Sequence, residues 1–108
     1  PMYIHAAEGG IISLAGLWEI WQPADGGVLE TCTILTTSPN ALMEPIHNRM
    51  PVIVDPADYG MWLAPDTPLD QLIHLLRPFD TAPLAVYPVS TAVNKPQNDT
   101  PDIIIPAG

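Results

Sequence analysis

The sequence predicts a β-rich α+β domain over residues 1–108, with antiparallel strands and short helices. Three observations lead there. Branched and aromatic residues cluster in the first third, in runs separated by Gly-rich turn signals. Two helix-start signals, Asp55-Pro56 and Thr67-Pro68, stand close together, so the first helix has little room. Fourteen prolines, with Pro78, Pro83, Pro88, Pro96, Pro101 and Pro106 crowding the last third, forbid a long helix there, because proline lacks an amide donor and fixes φ.

The elements follow in order. Residues 2–6 are short and extended, and Glu8-Gly9-Gly10 reads as a hairpin turn. Residues 11–21 form a long apolar run, too hydrophobic on both faces for a solvent-facing edge. Pro23-Ala24-Asp25-Gly26-Gly27 breaks it with turn residues. Residues 28–37 alternate as the next strand, with Glu30, Cys32, Ile34 and Thr36 on one face and Thr31, Thr33, Leu35 and Thr37 on the other. Together the three segments predict a meander. After Ser38-Pro39-Asn40, residues 41–46 allow at most a helical turn, since Pro45 closes it. Residues 50–54 read as a short strand. Asp55 as N-cap and Pro56 at the first position open a helix whose apolar stripe is Tyr59, Trp62 and Leu63. Thr67-Pro68 opens a second, with Leu69, Leu72, Ile73 and Leu76 at helical spacing up to Arg77-Pro78. Residues 84–89 and 103–105 are the last strand-like pieces.

Composition bounds the function. A 47% hydrophobic, 14% charged chain suits one packed domain without a linker. Twelve carboxylates against Arg49, Arg77 and Lys95 give a net charge of −9, which argues against this chain gripping nucleic acid by itself. A single cysteine excludes an internal disulfide framework. Neither a membrane span nor a signal peptide is legible, which predicts a cytoplasmic chain.

Few constellations carry chemistry. Cys32 sits mid-strand between threonines and reads as a small buried hydrophobe, not a reactive thiol. His5, His47 and His74 share no metal-ligand spacing, so neither metal nor cofactor is expected. Glu19, between Trp18 and Trp21, reads as an outward-facing strand carboxylate. Pro45-Ile46-His47-Asn48-Arg49-Met50-Pro51 stands apart: a rigid loop between two prolines holding polar side chains, among them a histidine, the residue type most used for proton transfer. From pattern alone it fits either a functional loop or a loop histidine bonded to backbone, with Arg49 paired to a surface carboxylate.

Four motifs in order, Ala15-Gly16-Leu17-Trp18-Glu19, Glu30-Thr31-Cys32-Thr33-Ile34-Leu35-Thr36-Thr37, Ile46-His47-Asn48-Arg49-Met50-Pro51-Val52-Ile53 and Pro88-Val89-Ser90-Thr91-Ala92-Val93-Asn94, resemble the SOS response-associated peptidase family. The resemblance spans nearly all of this chain and the C-terminal half of the family's domain, and implies an α+β fold whose antiparallel strands form a twisted sheet or barrel-like arrangement. It implies a protein that bonds the aldehyde of abasic sites in single-stranded DNA, through an N-terminal cysteine in a Met-Cys-Gly-Arg start that also supports removal of its own leader. That cysteine and a catalytic glutamate belong to the N-terminal half, so neither Cys32 nor Glu19 inherits their roles. By the resemblance His47 is the active-site histidine, acting in proton transfer, Arg49 holds the DNA backbone, and Thr36 hydrogen-bonds the sugar. The expected partner is single-stranded DNA with an abasic site, for the complete domain. Without its companion half this chain is expected to be inactive and to leave Ile11, Leu14, Leu17, Trp18 and Ile20 short of partners, so that it self-associates or lacks an N-terminal segment. The alternatives are a non-catalytic truncated or structural fragment and a small acidic protein-binding module.

Overall fold

The computed structural model describes residues 1–108 as two compact units, residues 1–11 with 80–108 and residues 12–79. In the first unit, β1 (Met2–Ala6) pairs antiparallel with β8 (Leu84–Pro88), setting Tyr3 opposite Tyr87 and His5 opposite Ala85. Tyr3 stacks on His5 at 5.2 Å between ring centroids, and Tyr87 meets both rings at 5.4 Å. The tail folds back through 3-10 turns at Thr91–Asn94 and Pro101–Ile104 and a bridge from Val89 to Pro106. Tyr87 Oη donates to the Ile104 carbonyl at 2.6 Å. Residues 103–105 are thus no strand. Pro101 at the start of the turn and Pro106 after it leave too few consecutive amide donors for a ladder.

In the second unit, three runs of strand each change partner at one residue. β2 (Ser13–Leu14) and β3 (Gly16–Trp21) flank Ala15, β4 (Leu29–Ile34) and β5 (Thr36–Thr37) flank Leu35, and β6 (Met50–Pro51) and β7 (Ile53–Val54) flank Val52. The pairs are β2 with β7, β3 with β4 and β5 with β6, all antiparallel. At the junction the backbone closes a ring of hydrogen bonds. Ala15 N–H donates to Val52 O (2.8 Å), Val52 N–H to Leu35 O (2.9 Å), and Leu35 N–H to Ala15 O (3.0 Å). Ala15 and Val52 are fully buried there, and Val54, Leu35, Tyr59 and Trp62 pack around them. With backbone partners this close on every side, only small or β-branched residues fit at the two closed vertices.

The fold is β-rich with open antiparallel ladders and few, short helices. The meander needs correcting. β1 pairs with β8 and not with β2 or β3, so Glu8-Gly9-Gly10 is a turn, with Gly9 and Gly10 at positive φ, but joins no hairpin. Only β3–β4 is the expected hairpin, across a loop in which Gly26 and Gly27 take positive φ. Its strands are exposed on both faces. Residues 16–21 therefore face solvent despite their apolarity, because a two-stranded ribbon has no second layer to cover it. For the same reason Cys32, expected in a core, is exposed opposite Trp18.

Asp55 caps as expected, its Oδ1 accepting from Ala57 N–H at 2.9 Å, and a 3-10 turn (Pro56–Asp58) runs into α1 (Tyr59–Leu63). Tyr59 and Trp62 face the core, and Tyr59 Oη shares a 2.7 Å hydrogen bond with Ser13 Oγ, but Leu63 is exposed. α2 (Leu69–Ile73) is shorter than its periodicity predicts. Thr67 does not cap it; its hydroxyl donates instead to the Met61 carbonyl at 2.7 Å. Leu69, Ile73 and Leu76 stay exposed, so no buried stripe rewards extension to Arg77.

Candidate functional site

The corner between β5 and β6 is where the sequence places its chemistry. The ladder sets Thr36 opposite Pro51 and Thr37 opposite Met50, so the loop of residues 38–49 starts and ends at one point. Its first half is a helical turn. Met43 and Glu44 N–H donate to Asn40 O (3.1 and 2.9 Å), and Ile46 and His47 N–H to Met43 O (2.8 and 2.9 Å). The turn runs over residues 41–46, as expected, but Pro45 is not what ends it, since proline lacks only its own amide and Ile46 and His47 beyond it still donate into the turn; His47-Asn48-Arg49 then follow as irregular backbone.

Thr36, His47 and Arg49 converge there, all exposed. The Arg49 guanidinium lies over the end of β5. Nη2 donates to the Thr36 carbonyl (2.9 Å) and to Thr36 Oγ1 (3.1 Å), and Nε points to Oγ1 at 3.4 Å. Its hydrogen bonds thus go to a neutral strand end and not to a surface carboxylate, and the Nη1 edge of the fork is left for an anion.

The His47 ring is held by the backbone of the same arginine. Nδ1 lies 3.0 Å from Arg49 N and 3.1 Å from Arg49 O. A bare Nδ1 accepts from the N–H, and a protonated Nδ1 donates to the carbonyl. Each protonation state of the ring therefore keeps a partner on that side, and Nε2 is the free nitrogen in all of them. Such a ring can take up or release a proton at Nε2 without turning.

The other sequence candidates do not join this corner. Glu19 is exposed on β3, its Oε1 accepting from Ile20 N–H at 2.9 Å. Cys32 lies on β4, five residues after which Thr37 ends the run. His5 donates through Nδ1 to the Ala6 carbonyl (2.9 Å), and His74 closes α2. A residue that pattern reading passed over is Asn40, the one buried polar side chain. Its signal was present in Ser38-Pro39-Asn40, since asparagine before a helical turn is a preferred N-cap.

A fold and a corner of this kind can be placed among known proteins. The profile of the SOS response associated peptidase (SRAP) family matches residues 1–96, and the chain belongs to that family. It is 45% identical over 105 residues to the abasic site processing protein YoqW of Bacillus subtilis, covering 96% of this chain and 47% of that protein. Against the abasic site processing protein HMCES of Gallus gallus it is 36% identical over 99 residues, covering 89% of this chain and 29% of that one. The X-ray structure of a protein from Bacteroides thetaiotaomicron has the same fold, with a TM-score of 0.87 and 32% identity over 99% of this chain and 48% of its own. The chain spans about half the length of YoqW, and less of HMCES. No helix is long and apolar enough to cross a membrane.

Proposed function

We propose that this chain supplies the proton-transfer and backbone-holding corner of a protein that processes abasic sites in single-stranded DNA in the cytoplasm. The observation that carries this is the convergence of Thr36, His47 and Arg49 on one exposed corner, with Nε2 of His47 and Nη1 of Arg49 uncommitted. An opened abasic sugar presents an aldehyde. When a thiol or amine adds to it, the nucleophile loses a proton and the carbonyl oxygen gains one. His47 serves both ends: its imidazolium delivers a proton from Nε2 to the oxygen, and the ring left with Nδ1–H on the Arg49 carbonyl takes one back at Nε2. Arg49 meets a neighbouring phosphate through Nη1, and the Thr36 hydroxyl, which accepts from Arg49, turns its own O–H toward the sugar.

The nucleophile is not among these residues. Cys32, the single cysteine of the sequence, stands in mid-strand outside this corner, and these 108 residues by themselves are expected to form no heat-stable adduct with abasic DNA. Self-cleavage of the kind the family's name implies would likewise need a nucleophile other than these three residues. The test is a chimera of YoqW that carries this sequence in place of its own matching segment. His47→Ala should slow adduct formation on single-stranded abasic DNA by roughly 10²-fold, the scale for losing one proton-transfer group. Arg49→Ala should weaken DNA binding, more at low salt than at high. An undiminished rate in the His47 variant would remove the histidine from the reaction.

A second property rests on a separate observation. Trp18, Leu17 and Trp21 on β3 are 71%, 53% and 57% exposed, and Val28, Leu29 and Ile34 beside them are similarly open. They lie on both faces of a hairpin that has no covering layer, and monomers seldom leave large apolar surface open. The isolated chain should therefore self-associate through β3–β4, and a monodisperse monomer in light scattering would refute this.

A further inference from the structure

His47 and Arg49 stand on an irregular loop between β5 and β6, yet the His47 ring bonds the Arg49 backbone and the Arg49 guanidinium bonds Thr36 at the strand end. Something must fix the loop from beneath. Asn40 is buried at its base, and its carboxamide and its backbone N–H reach different parts of the corner's support. Oδ1 accepts from Met43 N–H at 2.9 Å, as an N-cap does. Nδ2 donates to the Phe79 carbonyl at 2.8 Å. The Asn40 backbone N–H donates to Met50 Sδ at 3.3 Å, joining the two ends of the loop. Burying a carboxamide is unfavourable unless each polar atom finds a partner, and here each does.

The bonds run in sequence from Asn40 to His47. Asn40 fixes Met43, and the Met43 carbonyl accepts from His47 N–H at 2.9 Å. Met43 and Met50 are both buried on either side, so the turn cannot rock as a unit. Beyond His47 the only ties are those between its ring and the Arg49 backbone, and between Arg49 and Thr36. We infer that Asn40 is a positioning residue, which sets the His47 ring against the Arg49 backbone by capping the turn that carries it. This rests on the reading of His47 as a proton-transfer residue only for its functional meaning; the positioning itself can be measured without DNA.

The measurement is the Arg49 amide proton in NMR spectra of this chain. When the His47 ring is protonated, Nδ1 stops accepting and the Arg49 amide signal moves with it. In Asn40→Ala that coupled movement should be lost, while the amides of the β3–β4 ladder and the His5 and His74 ring signals stay where they are. Asn40→Ser and Asn40→Asp keep an acceptor for Met43 N–H and give up the bond to Phe79, so they should restore the coupling. An Asn40→Ala protein in which Arg49 still follows His47 would overturn the inference. If Asn40→Ala does not fold, the serine variant decides, and loss of the coupling there would overturn it too. The functional reading stands or falls separately. Coupling that depends on Asn40, together with a His47→Ala chimera of undiminished rate, would leave a positioned ring that takes no part in the reaction.

Discussion

The β3–β4 hairpin and the junction from which it springs are built from similar apolar sequence, and they end in opposite surroundings. At Ala15 and Val52 nothing is exposed, whereas a few residues along the same run Trp18 is 71% exposed. The difference lies in backbone neighbours. At the junction each strand meets two others and the α1 side chains Tyr59 and Trp62 close over it, while along the hairpin each strand has one neighbour and no covering layer. Apolar character drives burial only where the chain also provides a second surface to bury against.

Substitutions can break that contrast or sharpen it. The largest effect is expected from Val52→Asp, which puts an unpaired carboxylate where no water reaches. It should cost more than about 4 kcal/mol and abolish cooperative unfolding of residues 12–79 in urea. Trp18→Asp, with the same new charge on the hairpin, should change stability by no more than ~0.5 kcal/mol and reduce association in light scattering. Val52→Ala keeps the backbone ring and removes two buried methyls, for a loss of ~2 kcal/mol by urea melt. Gly16→Ala tests how far the crowding reaches along β3. A Cβ there would lie 3.1 Å from the Thr33 carbonyl, and about 1 kcal/mol should be lost in the same measurement. The smallest effect expected within the junction and its helix belongs to Asp55→Ala, which removes an exposed cap from the turn before α1 and should cost ~0.5–1 kcal/mol, still above the change from Trp18→Asp. An Asp55→Ala loss larger than that of Val52→Ala would mean that the helix, not the junction, holds this unit together.

Local chemistry was legible in the sequence. The Asp55-Pro56 start and the glycine pair at Gly26-Gly27 follow from residue types at fixed spacing, the loop of His47 and Arg49 stood out by its two prolines and polar side chains, and Thr36 was reached only through the family resemblance. Partner choice was not. Nothing in the runs through Ala15, Leu35 and Val52 marks the residue at which a strand changes neighbours, because small and branched residues serve equally in a continuous strand. The pairing of β1 with β8 joins segments near the two ends of the chain, and periodicity carries no information about such a distance. Burial of Cys32 failed for a related reason, since alternation assigns a residue to a face but not that face to a core. Asn40 was missed because a single asparagine beside a proline reads as loop punctuation until its three partners are seen.

The ring of three amide bonds also acts as an origin from which the corner is measured out. Thr36 is the residue immediately after the vertex Leu35, and Arg49 lies three before the vertex Val52. Strands crossing at a shared point cannot slide past one another, and a one-residue slip would send every side chain beyond it to the opposite face. Lengthening the chain at residues 22–28 leaves both counts untouched. A single insertion between Arg49 and Val52 would not, and would carry the guanidinium away from Thr36 even if every functional residue were kept. The spacing from vertex to function is thus as much a part of the site as the residues themselves.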